Sequence, residues 1–257
     1  MTVNRRHLLR LGLGAGLVAG AAAAAVVVLD RPPEPDPPVC VPRSSLPVVG
    51  EVAGAELLYE EDQRQRRFAI DQVFADRLAD WVRFLPSTGL GTVTALRTYG
   101  AWTDGGTSCD SMHSSGRAFD VAAVVAGTQV VSCRTDQWDG GGSPEQLRAY
   151  WRLAAGLHAH FAYVLTYLFD ELHANHIHID DTESRGQMSS FNRRSRVQCH
   201  GVQGICRYVW QVPTELTGAW DTQTRASLAT VTERLGLSDQ IQQQQAWQDF
   251  LTASACA

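Results

Sequence analysis

The chain contains no lysine: all 22 basic residues among its 257 are arginine, a usage read as the base composition of a GC-rich bacterial genome and not as mechanism. No CxxC pair occurs, which removes the usual thiolate spacing of a structural zinc site. The absence of a GxSxG elbow argues against an exposed serine nucleophile, and the absence of internal repeats excludes a solenoid. Acids exceed bases, for a net charge of −5; the first 29 residues hold three arginines and no acid, so the remainder stands at −8. A body that acidic is a poor binder of nucleic acid. What is present is ordinary for a folded protein, 44% hydrophobic and 19% charged residues, with length for one domain and a small appendage.

The N-terminus places Arg5, Arg6 and Arg10 ahead of an uncharged apolar run at 11–29, which predicts an export segment outside the fold. The paired arginines resemble a twin-arginine signal. The run is also long enough to cross a bilayer, and the small residues at 21–25 offer cleavage points, so a cleaved signal and a retained membrane tether both fit. Residues 30–47 then form a linker, stiffened by Pro32, Pro33, Pro35, Pro37 and Pro38. All six cysteines lie beyond the export segment, in a chain destined for a compartment where disulfides form. Cys109 and Cys133 flank a histidine motif and are natural partners; Cys199 with Cys206, and Cys40 or Cys206 with Cys256, are the other pairings expected.

From residue 48 the pattern predicts an α+β domain ending near 196. A helix is expected over 63–84, where Phe68, Ile70, Val73, Phe74, Leu78, Trp81 and Val82 recur at helical spacing. Strands are expected over 92–99, 118–125, 162–168 and 176–180, with a glycine loop at Gly105 and Gly106 and a crossing helix over 144–160. Together these give a small, largely antiparallel sheet with packed helices and a site on its open face. His158 and His160 fall near the crossing helix's C-terminus, where they would complement its dipole.

Function is argued from two short segments. Upstream, His113 and Asp120 are separated by seven positions with Gly116 between them; downstream, His176, Ile177, His178, Ile179 and Asp180 alternate with the period of a strand that buries one face. Histidine and aspartate are ordinary zinc ligands. Three ligands drawn from His113, Asp120 and one of the two downstream histidines leave a fourth position open, the mark of a catalytic zinc site. Ser111, two residues before His113, is placed to orient His113 or Asp120, and Arg117 lies inside the same motif.

The run Ser111, His113, Gly116, Ala118, Asp120 resembles the SxHxxGxAxD motif of zinc peptidases that cleave the peptide part of bacterial peptidoglycan, a group including D-alanyl-D-alanine carboxypeptidases, murein endopeptidases and extensin-like C-terminal domains. The likeness covers roughly residues 48–181, and the extra His173 before His176 is closest to the endopeptidase and extensin-like branches. The resemblance implies a Zn2+ cofactor held by His113, Asp120 and His178. It further implies His176 beside the reacting water and Arg97 on the substrate or the developing oxyanion. Asn175 stands where the carboxypeptidases carry a glutamate base, so the base would be His176 or a carboxylate such as Asp170 or Glu171.

Residues 197–257 are similar to a peptidoglycan-binding helical module, through Val202–Trp210 and the Gly218, Ala219, Trp220, Asp221 loop, with Asp221 capping the next helix. Two readings follow: an exported zinc peptidase anchored to the wall polymer, and a wall-binding protein that keeps the zinc site without hydrolysis.

Overall fold

The computed structural model describes residues 39–104, 109, 111–182 and 187–257. The apolar N-terminal run expected to be an export segment, most of the proline-rich linker, the Gly105–Gly106 loop and part of the connector after Thr182 lie outside the described residues.

After a 3-10 turn at Arg43–Ser45, the described residues form four short strands, β1 (Val48–Val49), β2 (Glu51–Val52), β3 (Ala55–Tyr59) and β4 (Phe68–Ala69), followed by helix α1 (Gln72–Phe84). Strands β5 (Ala95–Gly100), β6 (Ala118–Ala126) and β7 (Gln129–Ser132) lead to α2 (Pro144–His160). Then come β8 (Tyr163–Leu165), β9 (Ile177–Asp180) and three C-terminal helices, α3 (Arg196–Gly204), α4 (Thr222–Leu235) and α5 (Gln244–Ala255).

The fold is α+β, as expected, but its sheet is not a small antiparallel one. Seven strands run in the order β2-β3-β5-β6-β9-β8 with β7 also paired to β6. The β3 and β5 pair is parallel, which makes the sheet mixed. The strands not expected from the sequence are β2 and β3, with the β1–β4 pair beside them, and β7, all of two to five residues and too short to show an alternation. The expected helix from 63 starts only at Gln72, because the Asp71 carboxylate accepts from the Phe74 N–H as N-cap. Phe68 belongs to β4, and Ile70 is buried ahead of the helix.

Helix α2 starts and stops where its pattern predicts. Ser143 and Gln146 form a reciprocal capping box at its start. It buries Tyr150, Trp151, Leu153, Leu157 and both of its histidines. The expected dipole role of His158 and His160 is therefore corrected: burial pushes His158 down to about 3 and lowers His160 as well, so both are neutral. One buried core runs from Leu57 and Phe74 through Phe119 and Trp151 to Val202, Val231, Trp247 and Phe250. Residues 197–257 thus pack their apolar side chains into the same core as the sheet. Asp221 caps α4 as expected, accepting from the Thr224 N–H at 2.7 Å.

The cysteine pairing also differs from expectation. Cys40 is bonded to Cys109, while Cys133, Cys199, Cys206 and Cys256 are free. Cys133 is fully buried and Cys109 is taken by Cys40, so proximity in sequence is no guide here.

Candidate metal centre

Strands β6 and β9 run antiparallel with Asp120 directly opposite His178 and Ala118 opposite Asp180. Cross-strand neighbours stand close enough for their side chains to meet on one face. The intervening Ile177 and Ile179 turn into the core. The third residue arrives on a short 3-10 turn, Met112–Ser115, capped by the Ser111 hydroxyl, which accepts from the His113 N–H. Ser111 therefore fixes the backbone of the ligand turn. The turn ends at Gly116 with φ 70°, where a Cβ would stand 2.7 Å from Leu46 and 3.1 Å from the Asp71 nitrogen. Glycine satisfies both demands, a physical reason for the glycine in the motif.

The side chains of His113, Asp120 and His178 converge, the one such group of three among the described residues. His113 Nε2 lies 3.2 Å from Asp120 Oδ1 and 3.1 Å from His178 Nδ1, and His178 Nδ1 lies 3.0 Å from the same carboxylate oxygen. Donor atoms tetrahedrally disposed at zinc bond lengths sit roughly 3.3–3.5 Å apart, so the triangle is close to the size a zinc ion requires. The three side chains retain 10–16% exposure, enough for solvent contact.

The tautomers also fit. A carbonyl or carboxylate oxygen only accepts, so its histidine partner must donate and leave the other nitrogen bare. His113 Nδ1–H donates to the Ala101 carbonyl at 2.5 Å, freeing Nε2. His178 Nε2–H donates to Asp180 Oδ2 at 3.2 Å, freeing Nδ1. Asp180 is held in turn by the Thr182 hydroxyl and N–H. Such carboxylate–histidine pairs are the usual support of metal ligands.

The electrostatics point the same way. Burial opposes ionisation of Asp120, yet its contacts with the imidazoles of His113, His176 and His178 hold it well below the usual carboxylate range. Burial likewise opposes a charged His178, and contacts with Asp120 and Asp180 overcome it, raising it to about 9. The pocket is one that favours a cation.

His176 and His173 stand beside this triangle. His176 Nε2 is 3.3 Å from Asp120 Oδ1, while its Nδ1–H donates to Asn175 Oδ1 at 2.5 Å. His173 Nδ1 donates to Asp170 at 2.6 Å, and its ring lies 5.2 Å from that of His176. Asp170 is thereby engaged with His173.

The two arginines singled out in the sequence are each matched to a buried acid. Arg97 gives Nε and Nη2 to Glu60, both at 2.6 Å. Arg117 gives Nε to Asp181 at 2.8 Å. Sequence reasoning missed Glu60, Arg134 and Tyr99. Arg134 bridges Glu60 and Asp136 and lies over the Tyr99 ring, which stands edge-on to His176. None of the three sits in a motif, and only the fold of β3, β5 and the segment after β7 brings them together.

A cavity of about 440 Å³ lined by Leu85, Leu90, Val131, Arg152, Leu153 and Ala255 shares no residue with the histidine cluster. Donor chemistry, and not hollow volume, marks the candidate metal centre. Compared with family models, curated proteins and solved structures, the chain matches none. The functional reading therefore rests on the site itself and on the motif.

Proposed function

We propose that the protein is an exported zinc peptidase that hydrolyses amide bonds in the peptide part of bacterial peptidoglycan. The observation that carries the reading is the triangle of His113 Nε2, Asp120 Oδ1 and His178 Nδ1, with two further imidazoles beside it. His113, Asp120 and His178 would hold the ion; when bound, zinc polarises a carbonyl and acidifies water. His176 supplies proton transfer. Asn175 cannot act as a base, but by accepting the Nδ1–H of His176 it leaves the lone pair on Nε2, beside Asp120. That nitrogen takes a proton from the attacking water and returns it to the leaving amine. Arg97, fixed by Glu60 and still 24% exposed at its side chain, is assigned to the substrate carbonyl.

The Cys40–Cys109 disulfide fits an extracytoplasmic protein, and no helix among the described residues is long and apolar enough to cross a membrane. Export, by the twin-arginine route or another, belongs to this proposal, as does attachment to the wall through residues 197–257.

The test is zinc content and muropeptide release from purified peptidoglycan by the full chain, beside His178→Ala. Stoichiometric zinc with chelator-sensitive release, lost in the variant, is the expected result. Zinc without release, together with sedimentation on the wall polymer, would make the chain a binding protein.

A further inference from the structure

Beyond His173, the cluster is continued by residues that no motif includes. Phe169 stands edge-on to His173, ring centroids 5.4 Å apart, and His173 lies 6.0 Å from His178. Over the Phe169 ring sits the guanidinium of Arg196, its Cζ 5.6 Å from the centroid. Arg196 is the first residue of α3 and is exposed. Its charge differs from that of Arg97, Arg117 and Arg134, each of which is neutralised by a carboxylate; among the described residues Arg196 has no such partner. Its stem is held nevertheless. Gly218, at φ 70°, lies so close that a Cβ there would stand 2.8 Å from Arg196 Cγ.

Helix stability does not account for an arginine at this position. A cation in the first turn opposes the positive end of the helix dipole, the first turn of α3 has no acid, and Arg193 and Arg194 add like charge just before it. A guanidinium held on an aromatic floor, with no carboxylate partner among the described residues, is instead suited to a ligand. Its planar donors match a carboxylate two-pronged.

We infer that Arg196, held over Phe169, is a carboxylate-binding residue of the substrate cleft and orients an acid-bearing peptide between itself and the histidine cluster. The inference rests on the peptidase reading for its substrate class. An extended peptide of roughly five residues spans the path from Arg196 past Phe169 and His173 to His178. The C-terminal segment then contributes directly to substrate recognition.

The experiment is calorimetric binding to the zinc-loaded full chain, which needs no turnover. One probe is a disaccharide tetrapeptide from peptidoglycan with free carboxylates; the other is the same fragment with its carboxylates converted to carboxamides. The native chain is expected to prefer the free acid by about tenfold, the scale of one charge-assisted hydrogen bond. Arg196→Gln loses that preference, Arg196→Lys keeps part of it, and the thermal midpoint of both stays near that of the native chain. A native chain that binds neither fragment or does not discriminate, or an Arg196→Gln variant that keeps the full preference, overturns the inference. Muropeptide release judges the peptidase reading separately. A chain that binds with the preference but never cleaves loses the enzyme and keeps the assignment of Arg196, whereas a chain that cleaves and whose Arg196→Gln variant keeps the full preference does the reverse.

Discussion

Asp180 does not touch the position a metal would take, yet it decides which nitrogen of His178 faces it. Its Oδ2 accepts from Nε2, and Thr182 locks its other oxygen. Asp180→Ala is expected to lower zinc affinity by about tenfold to a hundredfold, measured by competition with a chromophoric chelator; undiminished affinity would mean that packing alone sets the ring. The same residues make affinity pH-dependent. His178 in the metal-free chain is raised to about 9, so below that pH a metal must displace its proton. Affinity should rise with pH and level off above about 9, each unit below costing up to about tenfold from this group; a flat profile between pH 6 and 8 would contradict it. Asn175 acts on His176 instead. Asn175→Ala should leave zinc stoichiometry intact and lower turnover by about tenfold to a hundredfold, and a variant with unchanged turnover would free His176 from its assigned role.

The ligand turn is fastened at the level of elements by the arm that precedes β1. The Cys40–Cys109 bond closes 69 residues. The Val41 N–H donates to the Ser114 carbonyl at 2.9 Å, and the Trp102 indole donates to the Val41 carbonyl at 2.9 Å. His113 adjoins Ser114, and the Ala101 carbonyl that orients it adjoins Trp102, so both stand one residue from these ties. Reduction of the bond should therefore cost up to about 4 kcal/mol of stability by loop entropy and also weaken zinc binding, both read by thermal melts of Cys40→Ser with and without zinc. A lower melting point with undiminished zinc affinity would confine the bond to stability. This arm was not legible in the sequence, since a disulfide partner is fixed by the path of the chain and not by spacing. The converging His113, Asp120 and His178 were legible, His178 over His176 through the motif resemblance alone, because alternation from Ile177 to Asp180 and the Gly116 turn are local. Helix α2 was legible through its capping box. The start of α1 was not: Phe68 and Ile70 happen to fall at helical spacing while serving a strand and the turn before Asp71. Glu60, Arg134 and Tyr99 are drawn together from separate elements, which no local period records.

At the scale of the whole molecule, the sheet and the C-terminal helices share one core, and polar groups are enclosed where they meet. His158 is fully buried on α2 near Trp247, ring centroids 6.3 Å apart, with neither ring nitrogen hydrogen-bonded. Burial holds it neutral down to about pH 3, against 6.5 for an ordinary histidine. The unfolded chain takes up a proton at this residue as pH falls through about 6.5, and the folded chain does not until about 3. Its contribution to stability is therefore complete above pH 6.5 and is lost progressively as pH falls from 6.5 to 3, at up to about 1.4 kcal/mol per unit. His200, lowered to about 4 by burial and by Arg196, acts in the same direction. Urea unfolding of the native chain from pH 7 to 4 should show this decline, and His158→Leu should flatten it, whatever that variant's stability at pH 7. Because α2 carries apolar side chains to both the sheet and the C-terminal helices, the acid transition of the metal-free chain should appear at once in tryptophan fluorescence and in far-UV circular dichroism. A fluorescence change that precedes the loss of ellipticity by more than about one pH unit would instead show that the core around the tryptophans loosens before the helices unfold.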